Sequence, residues 1–354
     1  MSATWLSAST ARRGFDAGGP TLADIGESEL LRQVSAIALE DREAARDLEV
    51  ESGDDAAVWR VPVGCQVALS QDATVEGVDF RRTTSDPGSV GARALQVALS
   101  DLAGMGAEPR LCLVTVCASE TTQVEDLIAL QRGLCAVAAS VGCAVAGGDI
   151  SAIDGPLVID VSVVGTTAPG RCLRRDRGRP GDVLLVTGHL GGAAAGLRIL
   201  LQGLEAPTAT AERWLDRQLR PRARLEEGRA LARLGVSCAG DLSDGLLVDV
   251  GRITEASGCG AELWLESVPV DPELPAALDA AWTEAALGGG EDFELVAAVA
   301  PDRLEALLEA WPAQLQPLQV VGRLDAGTGV RLLDRAGGEP LPLPAVVSRH
   351  FRRP

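Results

Sequence analysis

The sequence predicts a two-domain protein of the α/β and α+β classes, and two observations carry that prediction. Segments with the apolar patterns of strands alternate with segments of helical spacing along most of the chain. A stretch rich in proline and arginine, residues 168–182 (APGRCLRRDRGRPGD), interrupts the alternation near the middle. We therefore predict a disordered lead over residues 1–20, an N-terminal α/β domain over 21–168 and a C-terminal α+β domain over 169–345.

Apolar spacing assigns the elements of the N-terminal half in order. They are a strand over 67–70 that ends at Gln71-Asp72, a helix over 90–103, a strand over 110–116, a helix over 123–140, a strand over 143–149 that runs into a glycine turn, and a strand over 156–165. The helix over 90–103 has its apolar residues at helical spacing, so Asp101 is expected near its C-terminus.

The C-terminal half follows the same alternation. The predicted elements are a strand over 183–188, a helix ending at 204, a helix entered after Pro221, a helix from about 246 to 257, a strand over 261–265, a turn and strand over 288–300, a helix over 301–311 and a strand over 318–324. The small residues of GHLGGAAAG (188–196) do not match a dinucleotide fingerprint and indicate close helix packing instead.

Composition excludes several classes of protein. The chain has no lysine, so Walker A loops, protein-kinase sites and Schiff-base chemistry are ruled out, and its two histidines argue against His-based triads. A net charge of −18 argues against nucleic-acid partners, and no apolar run reaches the roughly 18 residues of a membrane span. The eight cysteines form no C-x-x-C pair, which indicates reduced packing residues in a cytoplasmic protein.

Acidic residues beside small residues recur at six places. These are SGDDAAV (Asp54, Asp55), SQDATVEG (Asp72), LSDLAGMG (Asp101), AGGDIS (Asp149), GDLSDGL (Asp241, Asp244) and GGGEDFEL (Glu291, Asp292). Carboxylate oxygens suit a hard cation such as Mg²⁺, and neighbouring glycines allow the backbone to approach a phosphate. The alternative is that each Asp caps a helix or a turn, as Asp244 would do for the helix near Leu246. An EF-hand is excluded, because position 12 counted from Asp241 is Arg252.

The order of these stretches resembles that of thiamine-monophosphate kinases, in the superfamily of aminoimidazole ribonucleotide synthetase and selenophosphate synthetase. GDDAAV, VEGVDF, ALSDLAGMGAEP, AGGDIS, RPRAR, DLSDGLLVD and GGGEDFEL occur in the family's order over about residues 24–335. The resemblance implies ATP-dependent phosphorylation of thiamine monophosphate to thiamine diphosphate with several Mg²⁺ ions. It also implies an aminoimidazole ribonucleotide synthetase-like fold whose N-terminal domain binds ATP and Mg²⁺ and dimerises through its sheet, giving a homodimer.

The resemblance also implies roles for individual residues. The metal ligands it implies are Asp55, Ser70, Gln71, Asp72, Asp101, Asp149, Asp241 and Asp244, with Asp72, Asp101 and Asp244 as the catalytic residues. The ATP-binding residues it implies are Gly148, Asp149, Arg175 and Ser243. The substrate-binding residues it implies are Asp79 and Glu291.

Three positions depart from the family's pattern. Gln71 stands in a Ser/Thr-Thr-Asp motif, Asp79 where histidine is frequent, and Ala345 near the expected position of an aromatic residue that stacks on substrate. Trp282, Phe293 or Phe351 are the alternatives for that stacking role. Two other functions stay open on the sequence: an ATP-using member of the superfamily with another small phosphate-bearing substrate, and a catalytically silent homologue that binds nucleotide or metal.

Overall fold

The computed structural model describes residues 14–16, 18–41, 43–52 and 54–344. Its residues group into two compact units. The first includes the chain up to Arg60 together with Gln71–Leu95 and Leu111–Ser162. The second comprises Val61–Ser70, Gln96–Arg110 and the chain from Val163 onward. The domain limits at 20, 168 and 345 remain predictions.

The elements up to the junction form a four-stranded sheet, a two-stranded sheet of β1 and β2, and helices. They are α1 (Leu22–Ile25), α2 (Glu27–Ala38), β1 (Leu48–Val50), β2 (Val58–Trp59), β3 (Gln66–Val75), α3 (Pro87–Gly104), β4 (Glu108–Ala118), α4 (Val124–Ser140), β5 (Ala144–Ala152) and β6 (Val158–Thr167). The four longer strands pair in the order β3-β6-β4-β5, with β4 and β5 parallel. The predicted helices over 90–103 and 123–140 are thereby confirmed.

Glycine allows α3 and α4 to touch backbone to backbone. A Cβ on Gly91 would lie 2.0 Å from the carbonyl oxygen of Leu130, and a Cβ on Gly133 would lie 1.9 Å from that of Gly88. Both distances are far below van der Waals contact, so neither position accepts a side chain. Within the lead predicted over 1–20, the ring of Phe15 stacks on Phe80 at 6.2 Å. Residues 1–13 and 17 lie outside the described part.

Two strands are longer than predicted. β3 continues through Gln71 and Asp72 to Val75, and β5 continues through Gly148 and Asp149 to Ala152. In β5 the pairing of Asp149 with Thr115 of β4 extends the ladder past the glycines. The predicted end of the first strand at Gln71-Asp72 and the glycine turn predicted at the end of the strand over 143–149 are therefore wrong, because ladder pairing overrides the local preference of Gly and Asp for turns. Asp101 lies near the C-terminal end of α3, as predicted.

The remaining elements build a seven-stranded sheet covered by helices. They are β7 (Val183–Thr187), α5 (Gly192–Gln202), α6 (Thr208–Leu219), α7 (Leu225–Arg233), β8 (Cys238–Leu242), α8 (Leu246–Ser257), β9 (Gly260–Trp264), α9 (Leu274–Leu278), α10 (Trp282–Gly288), β10 (Glu294–Val299), α11 (Pro301–Ala310), β11 (Leu318–Asp325), β12 (Gly329–Leu333) and β13 (Pro340–Leu341). The strand order is β13-β12-β9-β11-β7-β10-β8, antiparallel except for β12 beside β9.

The core of this unit lies between the sheet and α8. Leu246, Val250 and Ile253 of α8 are buried together with Val186 of β7 and Val296 of β10. The close helix packing predicted for GHLGGAAAG is confirmed, since a Cβ on Gly196 of α5 would lie 2.2 Å from the carbonyl oxygen of Trp214 in α6. The sequence reasoning had not assigned α6.

The predicted helix after Pro221 begins later than expected, at Leu225. The preceding residues are held by tertiary contacts instead: the Ala223 N–H donates to Gln96 Oε1 at 2.8 Å, and Arg224 binds Glu294. These contacts fix an irregular entry to α7, which propensity alone does not reveal.

Candidate active site

The turn between β8 and α8 carries the GDLSDGL motif. Asp241 is in the last part of β8, Ser243 and Asp244 form the turn, and Gly245 is the N-cap residue of α8 with φ at 104°. Only glycine adopts that backbone conformation without strain. Since the cap residue has no side chain, the alternative that Asp244 caps this helix is wrong.

Asp249, in the first turn of α8, binds the start of this turn. Its Oδ2 accepts the N–H of Asp244 at 3.0 Å and the N–H of Gly245 at 3.1 Å, and its Oδ1 accepts from Arg252 Nη1 at 2.6 Å. The Asp249 side chain is 1% exposed, and its burial raises the pKa of the carboxyl to about 7. Arg252 also forms an ion pair with Asp244. The turn is therefore fixed by two residues of α8.

Asp241 is the most enclosed of the carboxylates assigned to metal. It is 3% exposed, accepts a hydrogen bond from the Ser100 hydroxyl at 2.9 Å, and pairs with Arg175 Nη2 at 3.3 Å. Burial, and then the negative charge of Asp101, raise the pKa of Asp241. The buried Asp241 thus carries a charge that the charge of Asp101 repels, which is an arrangement that attracts a cation.

Asp101 approaches from α3, where it stands one turn before the helix ends at Gly104. The hydroxyl of Ser70 donates to Asp101 Oδ2. A Cβ on Gly104 would lie 2.9 Å from the amide nitrogen of Asp241, so this glycine lets α3 reach β8. Within the second unit the structure thus brings together Ser70, Asp101 and Asp241, all assigned to metal, and Arg175, assigned to ATP.

Arg175 lies in the predicted junction, at the start of a short 3-10 turn over Arg175–Arg177. The Ser257 hydroxyl of α8 donates to its carbonyl oxygen at 2.7 Å, and a Cβ on Gly240 would lie 3.0 Å from its Nε. The backbone of Arg175 is thereby fixed, and its side chain runs over a glycine of β8. A guanidinium held in this way is suited to bind phosphate oxygens.

The GGGEDFEL loop meets the same turn. The Glu291 N–H donates to the carbonyl oxygen of Ser243 at 2.8 Å, and the Phe293 N–H donates to that of Leu242 at 3.0 Å. The Glu291 carboxylate accepts from Gln218 Nε2 at 2.8 Å. Glu291 and Phe293 have φ values of 62° and 48°, a conformation that costs about 1 kcal/mol or more for each non-glycine residue. The strain is maintained because the N–H groups of both residues are hydrogen-bonded to the end of β8 and the turn after it.

Asp292 joins this loop to the start of α5. Its carboxylate accepts the N–H of Gly191 at 2.7 Å and that of Ala193 at 3.3 Å, which satisfies the N-terminus of that helix. Burial of the carboxylate outweighs these hydrogen bonds and raises the pKa of Asp292 to about 6. Next along the chain, the fully buried Glu294 accepts two hydrogen bonds from Arg224 at 2.6 and 2.7 Å.

The assigned residues of the first unit lie mostly on strands. The Gln71 amide donates to Asp160 of β6, so its side chain is bound to the neighbouring strand. Asp149 is exposed on β5 and accepts from the Ser151 hydroxyl at 3.2 Å. Asp55 is exposed, and its N–H donates to Asp54. Asp72 is half-buried in β3.

Two further positions in the first unit are fixed by strand geometry. A Cβ on Gly148 would lie 1.9 Å from the carbonyl oxygen of Val114, so close strand pairing excludes any side chain there. Asp79 follows β3, and its carboxylate accepts the N–H of Val75 at 2.8 Å. That hydrogen bond gives Asp79 a structural role in the turn, and its assignment to substrate remains a prediction.

The three aromatic alternatives for the stacking role differ in burial and in whether they lie within the described residues. Phe293 is 4% exposed and directly precedes β10, so it is a core residue. Trp282 packs partly buried on the cluster around Trp214. Phe351 and Ala345 lie outside the described residues.

The oxygen donors of the second unit fit Mg²⁺. In the described part of the chain, no group of three or more His, Cys, Asp or Glu side chains is placed to hold a metal by itself. Mg²⁺ is usually held by one or two carboxylates, with phosphates and water supplying the other ligands. Asp101 and Asp241, whose charges already repel, provide such a pair.

The sequence reasoning missed Ser100, Asp249 and Arg252. The Ser100 hydroxyl donates to Asp241, Asp249 accepts the N–H of Asp244, and Arg252 forms an ion pair with the Asp244 carboxylate. The positions of these three residues in the sequence could have indicated their role. Asp249 and Arg252 stand three residues apart on one face of α8, and Ser100 directly precedes Asp101. The sequence does not show that α3 and α8 lie close to this turn.

Two family models match the chain. The N-terminal domain of AIR synthase related proteins matches residues 53–167, and their C-terminal domain matches residues 179–335. The thiamine-monophosphate kinase of Bacillus subtilis (strain 168) is 31% identical over 307 residues, which cover 86% of this chain and 94% of that protein.

Solved structures agree with the family models. The thiamine-monophosphate kinase of Stenotrophomonas maltophilia K279a superimposes with a TM-score of 0.78 at 33% identity, covering 88% of this chain and 98% of that one. The structure of AaThiL complexed with AMPPCP and TMP superimposes with a TM-score of 0.69 at 27% identity, covering 92% and 99%.

The two domains and their fold are therefore those of the AIR synthase related proteins, which confirms the fold class inferred from the motifs. Within that class, this chain belongs to the thiamine-monophosphate kinase family.

Proposed function

We propose that this enzyme transfers the γ-phosphoryl group of ATP to thiamine monophosphate and releases thiamine diphosphate and ADP. Family membership over nearly the whole chain supports this activity. The observation that carries it in this molecule is the grouping of Asp101, Asp241 and Arg175 beside the β8–α8 turn. These are groups that bind a cation and a phosphate, as phosphoryl transfer requires.

The transfer needs no strong general base. The acceptor oxygen belongs to a phosphate that is already an anion at neutral pH, which suits a chain with two histidines. Catalysis then depends on positioning and on neutralising charge. Arg175 would bind phosphate oxygens through its guanidinium, and Ser243 would contact the nucleotide at the start of α8. Glu291 would contact the thiamine portion.

Mg²⁺ is the cation that we assign to the carboxylates. Asp101, Asp241, Asp244 and Ser70 in the second unit, and Asp55, Gln71, Asp72 and Asp149 in the first, are its proposed ligands. When bound, Mg²⁺ would neutralise charge on the phosphates during transfer. Gly148 and Asp149 would contact the nucleotide as well.

A product assay tests the activity. The protein is incubated with Mg²⁺, ATP and thiamine monophosphate, and thiamine phosphates are separated by chromatography. We expect thiamine diphosphate and ADP in equal amounts. Parallel reactions with thiamine and with other phosphate monoesters report on the substrate; a faster reaction with one of those would overturn the assignment of thiamine monophosphate.

We also propose that the protein is a homodimer formed through its four-stranded sheet. Val67 and Leu69 of β3 are 44% and 73% exposed, and Leu113 of β4 is 44% exposed. Apolar side chains exposed on a sheet favour burial against a second copy. Sedimentation velocity should give twice the chain mass of 36.6 kDa, and Leu69→Glu should reduce it to a single chain.

The cytoplasm is the compartment that we propose. All eight cysteines are free, and four of them are buried as packing residues. Within the described residues, no helix combines the length and the apolar character needed to cross a bilayer.

A further inference from the structure

Arg252 joins two carboxylates of the β8–α8 region. One nitrogen of its guanidinium forms an ion pair with Asp244, and the other donates to Asp249 Oδ1 at 2.6 Å. The Arg252 side chain is 39% exposed, whereas those of Asp244 and Asp249 are 21% and 1% exposed. The cation is therefore the most solvated member of this group, and its two contacts are made by different nitrogens.

The contact with Asp249 does not depend on the contact with Asp244. Asp249 is held in place by the N–H groups of Asp244 and Gly245 and by its position in α8. If the Asp244 side chain turned to another cation, Arg252 would keep its hydrogen bond to Asp249. The arrangement allows one ion pair to open at low cost while the other persists.

Negative charge around the turn makes a cation necessary. Burial is the main cause of the raised pKa values of Asp249 and Asp241; the charges of Asp241 and Asp244 raise the pKa of Asp249 further, and the charge of Asp101 raises that of Asp241. The facing cations are Arg252, which contacts Asp244 and Asp249, and Arg175, which contacts Asp241 at 3.3 Å. Arg252 thus neutralises Asp244, as Arg175 neutralises Asp241.

We propose that Arg252 is an internal counter-ion that competes with the divalent cation for Asp244 and so lowers the affinity of the enzyme for that cation. Arg252 is a positioning residue: it stays bound to Asp249 and yields Asp244 when the metal arrives. The inference rests on the proposed function, since it takes Asp244 as a metal ligand.

The test is metal binding in the absence of nucleotide. Free Mn²⁺ is measured by its electron paramagnetic resonance signal during titration of the full-length protein and of Arg252→Gln. Removal of a competing charge should tighten Mn²⁺ binding by about 5-fold or more. The Mg²⁺ concentration that gives half-maximal turnover should fall in the same variant, with the KM for thiamine monophosphate unchanged.

A matched control separates local competition from the change in total charge. Arg233→Gln removes one positive charge from the exposed end of α7 and should leave Mn²⁺ binding as in the unaltered protein. In the double variant Arg252→Gln, Asp244→Asn, the gain in affinity should disappear. Arg252→Met retains the packing of the side-chain stem and serves the same purpose if the Gln variant does not fold.

Unchanged or weaker Mn²⁺ binding after removal of Arg252 would overturn the inference, and so would no measurable binding in either protein. A gain that persists in the double variant would overturn it as well. These outcomes are independent of the proposed activity, because the titration contains neither ATP nor thiamine monophosphate. Failure of the kinase assay with tighter Mn²⁺ binding in Arg252→Gln would contradict the function and leave the competition established.

Discussion

The carboxylates of the second unit and those of the first are held in different ways. Asp241 and Asp244 are buried or half-buried, and each contacts an arginine. Asp55 and Asp149 are exposed, and their hydrogen bonds join them to residues one or two positions away. Burial of Asp241 and Asp244 costs desolvation free energy that the exposed carboxylates of Asp55 and Asp149 do not incur. The second unit therefore holds Asp241 and Asp244 in place beside arginines, whereas Asp55 and Asp149 of the first unit are exposed.

The largest expected effect is on turnover. Asp244→Asn should lower kcat by about 100-fold or more, because a preorganised charge in the reacting region is lost. Stability should change little, since the side chain is at a turn and its carboxamide can still accept a hydrogen bond from Arg252. Steady-state kinetics and thermal unfolding measure the two. A near-normal kcat would show that Asp244 is not a catalytic residue, and the contrast between the two units would then have no bearing on catalysis.

A second test uses Asp292, whose pKa is raised to about 6 by burial. As pH rises from about 4 to 6, the Asp292 carboxyl loses its proton in the unfolded chain but keeps it in the folded protein. The free energy of unfolding therefore falls over this range and stays at the lower value above pH 6. Relative to Asp292→Asn, the unaltered protein should lose up to about 3 kcal/mol of unfolding free energy between pH 4 and 7. Urea unfolding across that range measures the difference.

A pH-independent difference between the two proteins would contradict the assignment of burial as the cause.

A smaller change is expected for Asp241→Asn. Asn keeps an acceptor for the Ser100 hydroxyl and removes the repulsion from Asp101, so the protein should become about 1 kcal/mol more stable at pH 8 while kcat falls. Chemical unfolding and steady-state kinetics on the same preparation test whether the stability rises while kcat falls. A loss of stability of similar size would show that the Arg175 contact outweighs the repulsion.

The smallest change in stability is expected in the first unit. Asp149→Asn should alter the unfolding free energy by less than about 0.5 kcal/mol, as for most exposed positions. The KM for ATP should rise if Asp149 contacts metal or nucleotide as proposed. A large loss of stability would mean that Asp149 is as firmly held as Asp241, and the comparison between units would fail.

The difference between the two units also shows which features of the site could not be predicted from the sequence alone. The motifs located Asp241, Asp244 and Glu291, and the structure joins them through the Glu291 N–H and the Ser243 carbonyl. Local pattern ended two strands near Asp72 and Asp149, yet these strands continue to Val75 and Ala152, because pairing with neighbouring strands depends on residues far along the chain. Asp249 and Arg252 were missed for a related reason: their role depends on the path of the turn before α8.

Transfer of labelled phosphate tests the central claim most directly. ATP labelled at its γ-phosphate is incubated with the enzyme, Mg²⁺ and thiamine monophosphate, and the label is followed in thiamine diphosphate, inorganic phosphate and protein. We expect the label in the terminal phosphate of thiamine diphosphate, none retained on the protein, and transfer reduced about 100-fold or more in Asp244→Asn. Label that appears only in inorganic phosphate, or transfer that Asp244→Asn leaves intact, would contradict the account.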